Sequence, residues 1–342
     1  MSPTARRRFL IASGAGLAAR VLPAYGQSRI PRIGLLTYAP GTFTDRYVSA
    51  FREGMKELGY EEGRSVAIDW RSGDLSRDRT ERLADELIAS KPAAIVAQGV
   101  AIRITAGRTK TIPIICANSG DMVDAGFVKS LARPGGNVTG VQLLALDLVG
   151  KRMELLRELL PGAKQIAVIA DPAHAGEHRE RDVSIKAAER LGMQVSYHPA
   201  RSYQEFDAAL AAAHAEGAEA LVFFPDAISN TRTEQGAAFA LQHRLATVAG
   251  WSSYAEAGQL ISYGPKVEAS WRRLAHYADR ILKGAKPETL PVEQPTALEL
   301  VINLKTARAR DQRPSVNPAS SRPGNRVTTS GRFFAFALPP ES

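Results

Sequence analysis

The feature that most constrains the fold of this 342-residue chain is a repeated alternation, in which a short β-branched or aliphatic run is followed by a longer amphipathic one. Ile33-Gly34-Leu35-Leu36 reads as a strand, and Val48, Phe51, Met55 and Leu58 then recur at spacings of three and four, which is one face of a helix. The pattern continues through Val66–Trp70, a helix around Leu83 and Leu87, and strands at Ala94–Ala97, Pro113–Ala117 and Val138–Val141. It restarts at Gln165–Ala170, Met193–Tyr197 and Ala220–Phe224, with helices between. Strands that alternate with helices demand right-handed crossovers between parallel neighbours, so the fold class is α/β with doubly wound parallel sheets.

Two such sets imply two lobes. The cluster Arg133-Pro134-Gly135-Gly136-Asn137 breaks a helix and opens an extended segment, which suits a lobe-to-lobe connection. Ile261-Ser262-Tyr263-Gly264-Pro265 is a second connection, and the helix after it, around Trp271, Leu274, Tyr277 and Ile281, stops at Gly284 and Pro287 and returns to the first lobe. The expected organisation is a first lobe at 30–137 with a return segment at 264–290, a second lobe at 138–263, a hinge-associated closing segment at 291–307 and a disordered tail at 308–342. Ligands of open α/β sheets bind beyond the carboxyl ends of the strands, so two facing lobes predict a cleft between them with a hinge behind it.

The chain begins with features of export. Arg6-Arg7-Arg8-Phe9-Leu10 leads into an apolar run to Ala19 and the small-residue exit Ala24-Tyr25-Gly26, as in a twin-arginine signal peptide over 1–26. The run is too short to span a bilayer, which takes about 20 residues. The single cysteine, Cys116, lies far from the signal inside an apolar strand, so neither a lipid anchor nor a disulfide is expected, and the mature chain reads as a freely diffusing periplasmic monomer. Of the net charge of +9, the signal carries +4 and residues 309–342 carry +3, leaving +2 for the rest. A nearly neutral body offers no broad surface for phosphates, so no nucleic-acid partner is expected.

Several stretches carry a resemblance. Gly99, Ser119-Gly120-Asp121, Gly126 and Leu131-Ala132-Arg133-Pro134-Gly135-Gly136-Asn137-Val138-Thr139-Gly140 come first in the chain. Gly150-Lys151-Arg152, Pro225-Asp226, Ser262-Tyr263-Gly264-Pro265 and Ile281-Leu282-Lys283-Gly284-Ala285-Lys286-Pro287 follow, and Leu290–Thr296 and Glu299–Ala307 close the set. In order and spacing these are similar to the TrpX-type substrate-binding proteins of ABC transporters, over about residues 30 to 307. The resemblance implies a type I periplasmic-binding-protein-like receptor that closes on a small solute, an amino acid or similar zwitterion with aromatic types first, and delivers it to a membrane permease.

Within that frame the candidate ligand residues each have a plainer alternative. Gly99-Val100-Ala101 lies between a strand and a helix, where free backbone N–H groups suit a carboxylate or simply form a turn. The family often has a hydroxyl residue where Val100 stands. Ser119 and Asp121 follow a strand and precede a helix that includes Phe127 and Leu131, so they contact ligand or cap that helix. Asp226 follows the apolar strand Leu221–Phe224, and pairs with a ligand ammonium or caps the helix near Ser229. Trp251 and Tyr38 stack on a ligand or pack in the core.

Catalytic patterns are weak. His174-Ala175-Gly176-Glu177-His178 matches an inverted zinc-protease spacing, but Pro172 and Gly176 make it a loop, and no metal or other cofactor is expected. The sequence has no G-x-S-x-G elbow and no phosphate loop ending in Gly-Lys-Ser/Thr. An exported α/β hydrolase, or a ligand-sensing protein that serves a membrane sensor, are the alternative functions. After Ala307 the chain departs from the family pattern into a Pro-, Ser-, Arg- and Gly-rich stretch that ends in Phe333-Phe334-Ala335-Phe336.

Overall fold

A computed structural model describes residues 30–174 and 176–310 together with the backbone of a strand at Phe333–Leu338; the export signal expected at 1–26 lies outside the described residues. The first sheet is entirely parallel. It is built from β1 (Arg32–Thr37), α1 (Gly41–Glu57), β2 (Ala67–Ser72), α2 (Arg77–Ala89), β3 (Ala94–Gln98), α3 (Val100–Arg108), β4 (Ile114–Asn118) and β5 (Val138–Gln142), in the order β2-β1-β3-β4-β5. Ile33, Leu35, Leu36, Ile95, Val96, Ile114 and Ile115 are all buried, because helices cover both faces of the central strands of such a sheet.

The second sheet follows from α4 (Val149–Leu159), β6 (Gln165–Ala170), α5 (Glu177–Arg190), β7 (Gln194–Pro199), α6 (Tyr203–Ala215), β8 (Ala220–Phe223), α7 (Ala227–Thr231), α8 (Thr233–Gln242), β9 (Ala246–Ala249), α9 (Ser252–Glu256) and β10 (Ile261–Pro265). After α10 (Val267–Leu282), the chain adds β11 (Leu298–Asn303), α11 (Leu304–Ala309) and β12 (Phe333–Leu338). The order is β12-β11-β10-β9-β8-β6-β7, with β11 and β12 antiparallel, so this sheet is parallel only from β7 to β10.

Three expectations need correction. The first sheet continues through β5, which pairs with β4 from Ile114↔Val138 to Asn118↔Gln142, so the first crossing follows Gln142 rather than Asn137. Pro134-Gly135-Gly136 makes a turn within the lobe, with Gly135 at φ 66° and its N–H donating to the Glu288 carbonyl. The helix expected to include Phe127 and Leu131 is a run of turns, closed by Phe127 N–H on the Met122 carbonyl. Gly126, at φ 73°, cannot continue a right-handed helix. The tail is not uniformly without structure: α11 is capped by the Asn303 side chain on Thr306 N–H, and β12 pairs with β11 from Leu298↔Leu338 to Asn303↔Phe333. The apolar run Phe333–Leu338 has the aromatic content that favours a strand, and β11 offers it an edge.

The chain crosses between the sheets three times, over residues 143–148, at Lys266, and between Glu293 and Leu298. The third crossing leaves from a bridge of Glu293 to Val141. Arg152 ties the first of these crossings to the strand that leads into the second: Nε donates to the Tyr263 carbonyl in β10 and Nη1 to the Ala145 carbonyl, each at 2.9 Å. Helix α10 returns to the first lobe and packs on α1 and against β3 to β5. That contact needs Gly54, where a Cβ would stand 2.7 Å from the Arg272 carbonyl oxygen and 2.9 Å from the Ala275 Cβ. α10 stops in a reversal at Gly284, φ 94°, with Ala285 N–H donating to the Arg280 carbonyl.

Candidate functional site

The carboxyl ends of β3, β4, β6, β8 and β9 converge on a cavity of about 110 Å³ between the two sheets. Its apolar wall is aromatic. Phe43 and Tyr47 come from α1 and Trp271 from α10, and Tyr47 stacks on Trp271 with centroids 5.8 Å apart and planes 23° from parallel. Trp251, on the residue that precedes α9, closes that wall from the second lobe and is 3% exposed. Rings buried in this way serve core and cavity at once.

The polar walls differ in sign. On the first lobe Arg77 and Arg103 border the cavity beside the start of α3. The guanidinium of Arg103 lies 5.2 Å from the Phe127 ring centroid, and Arg77 donates to Glu81 Oε1 at 2.9 Å. Gly99 carries φ 63° at this turn, and no side chain caps α3, so the backbone N–H groups of its first turn are left without a side-chain acceptor at the cavity edge. Gln98 holds the neighbouring β1 turn, its Oε1 accepting from Tyr38 N–H at 3.2 Å.

The second lobe presents Asp171 after β6 and Asp226 after β8. Asp226 Oδ1 accepts from Ser229 N–H at 2.7 Å, which caps α7, and Oδ2 accepts from Asp171 N–H at 3.0 Å and Ser229 Oγ at 3.1 Å. Burial pushes the Asp226 carboxyl up to about 7 against these hydrogen bonds. Burial likewise raises Asp171, whose Oδ1 accepts from Ala173 N–H at 2.9 Å.

Contacts across the cleft mouth join the lobes. Ser119 Oγ meets His174 Nε2 at 3.2 Å, and Arg179 on α5 pairs with Asp124 at 3.2 Å and Asp121 at 3.6 Å. Arg46 of α1 reaches Glu256 of α9 at 3.0 Å. His174 is half-buried, and the desolvation of its ring lowers the imidazole to about 4 and keeps it neutral.

Of the residues singled out from sequence, Gly99, Val100, Ser119, Asp226 and Trp251 border the cavity. The other three stand elsewhere. Tyr38 Oη donates to the Leu75 carbonyl at 2.9 Å, so its hydroxyl is engaged within the first lobe. Ala101 packs into the core with Leu36, Leu87 and Ile95. Asp121 caps a turn by accepting from Val123 and Asp124 N–H, at 2.8 and 3.1 Å, and adds the ion pair to Arg179. Sequence reasoning missed Asp171, which follows β6 as Asp226 follows β8, and Asn118, the last residue of β4, and the same strand-end rule would have found them. Phe43, Tyr47 and Trp271 carry no such signal, since their spacing reads only as buried helix faces. Arg77, Arg103, His174 and Asn230 also border the cavity.

Comparison with known proteins places this geometry. A tyrosine-binding protein of Clostridioides difficile strain R20291 is 25% identical over 282 residues, covering 82% of this chain and 80% of that protein. A solved conserved domain protein from Vibrio cholerae superposes with a TM-score of 0.80 at 25% identity, over 85% of this chain and 97% of that one. A Streptococcus pneumonia ABC domain solved in complex with L-Trp shares the fold, with a TM-score of 0.77 at 23% identity over 83% of this chain and 95% of that one. The profile of the ABC transporter substrate binding protein family matches residues 33–313, and the chain belongs to that family.

Proposed function

We propose that this protein is the periplasmic receptor of an ABC importer, exported by the twin-arginine route, which closes as a monomer on an aromatic amino acid and hands it to a membrane permease. One observation carries the reading: cationic and anionic side chains border opposite walls of one small cavity, with aromatic rings beside them. A zwitterion fits that polarity. Its carboxylate turns to Arg103 and the backbone N–H groups at Gly99 and Val100, and its ammonium to the Asp171 and Asp226 side, with Ser119 at the rim. The volume is of the order of an engineered cavity of about 150 Å³ that holds benzene, which matches an aromatic side chain. Trp251 and Trp271 supply the apolar surface. Support also comes from the names of the tyrosine-binding relative and of the neighbour solved with L-Trp.

The mechanism is hinge closure, with no bond made or broken. Binding between the lobes stabilises the closed form by the difference in contacts that the ligand makes in the two states. Melting the protein against a panel of amino acids tests this. A ligand at about 100 times its Kd adds about 2.7 kcal/mol, so a shift of several degrees is expected with L-tyrosine or L-tryptophan and none with acidic or basic amino acids. Conversion of any panel member to product would favour an enzyme instead.

A further inference from the structure

One polar side chain on the second-lobe wall has unfinished hydrogen bonding. Asn230 lies on α7, is 6% exposed and borders the cavity. Its Oδ1 has no hydrogen-bond partner among the described residues. Its backbone is fixed, since its N–H donates to the Asp226 carbonyl at 3.0 Å and the Asp226 carboxylate caps the same short helix. Asp226 is already engaged by Ser229 and by Asp171 N–H on both of its oxygens. Asn230 also borders an outer pocket that opens between Phe43, Tyr203 and Arg232, so it sits where the closed cavity meets the cleft mouth.

A buried amide with an unpaired carbonyl costs free energy unless something supplies the missing donor, and this one borders a cavity that a ligand can fill. The side chain stands on the acidic side of the cleft. We propose that Asn230 is a specificity-determining residue whose side-chain carbonyl accepts a hydrogen bond from the ligand's ammonium group. It thereby selects amino acids over carboxylates of the same shape that lack the amine. The proposal rests on the zwitterion reading above and adds a residue to it. A site built around a hydrogen bond rejects the analogue that lacks the donor, because its own polar group is then left buried and unpaired.

The test compares the wild type, Asn230→Leu and Asn230→Asp by calorimetric titration with L-tryptophan and with indole-3-propionate, and by melting without ligand. Asn230→Leu should weaken L-tryptophan by at least about tenfold, bind indole-3-propionate as tightly as wild type or more so, and melt no lower than wild type. Asn230→Asp should keep the preference for the amine. Equal losses for both probes, or L-tryptophan binding by Asn230→Leu at wild-type strength, would overturn the proposal. If the wild type binds neither probe, L-tyrosine and 3-(4-hydroxyphenyl)propionate take their place, and binding of none of the four overturns the aromatic amino-acid reading and the proposal with it. A lower ligand-free melting temperature for Asn230→Leu shows a structural amide and overturns the proposal.

Discussion

Ser119 Oγ lies 3.2 Å from Nε2 of His174, and this contact runs from the end of β4 in one lobe to the loop after β6 in the other. It forms only when the lobes are together. Replacing His174 by Ala should weaken ligand binding by about 2- to 10-fold, the range of one net hydrogen bond, with little change in ligand-free melting.

The same residue sets a pH dependence. In the closed form burial lowers His174 to about 4, whereas in an open, hydrated cleft it returns toward about 6.5. The open state therefore takes up a proton that the closed state refuses. Affinity should be full above about pH 6.5 and fall as pH drops toward 4, by up to about tenfold per unit. In His174→Gln this part of the pH profile should be flat, and titrations at pH 7, 6 and 5 would show it.

Arg152 and Glu180 make a buried ion pair at 3.7 Å, and burial raises Glu180 to about 7. A raised acid holds its proton in the folded state at pH values where the unfolded chain has lost it. Its contribution to stability is then greatest below about 4.5 and declines as pH rises to 7, with a slope of up to about 1.4 kcal/mol per unit. Glu180→Gln should remove that slope from denaturant midpoints measured across this window. Arg152→Met also breaks the ties to Ala145 in the first crossing and to Tyr263 in β10, and should destabilise by about 3–5 kcal/mol.

Two glycines of helices make opposite predictions. At Gly54 a Cβ would meet the α10 backbone at 2.7 Å, whereas at Gly107, in α3, it would meet nothing within 4 Å. Gly54→Ala should lose about 1–3 kcal/mol through overpacking, despite the better helix propensity of alanine. Gly107→Ala should gain up to about 1 kcal/mol. Urea unfolding of the two variants side by side separates packing from propensity.

The α/β alternation was legible because strands such as Ile166–Ala170 are buried on both faces and tolerate only apolar residues. Half of the cavity was less visible for a physical reason. Strand ends announce themselves, so Gly99, Ser119 and Asp226 stand out, but Tyr47 and Trp271 meet only when α10 returns to α1, and a pattern along one helix does not record its partner. Pro134-Gly135-Gly136 gave a true turn signal and a false lobe boundary, since a turn within a sheet and a crossing between sheets use the same residues. The β12 strand was missed because composition averaged over the tail hides three phenylalanines in a six-residue apolar run at its end.

The central claim is that the cleft takes an aromatic amino acid, one molecule per chain. Calorimetric titration of the purified protein with L-tyrosine and L-tryptophan tests it most directly. Saturable binding of at least one of them is expected, with a stoichiometry of one and a strong loss in Trp251→Ala. No measurable binding of either, or binding that Trp251→Ala leaves untouched, would contradict it.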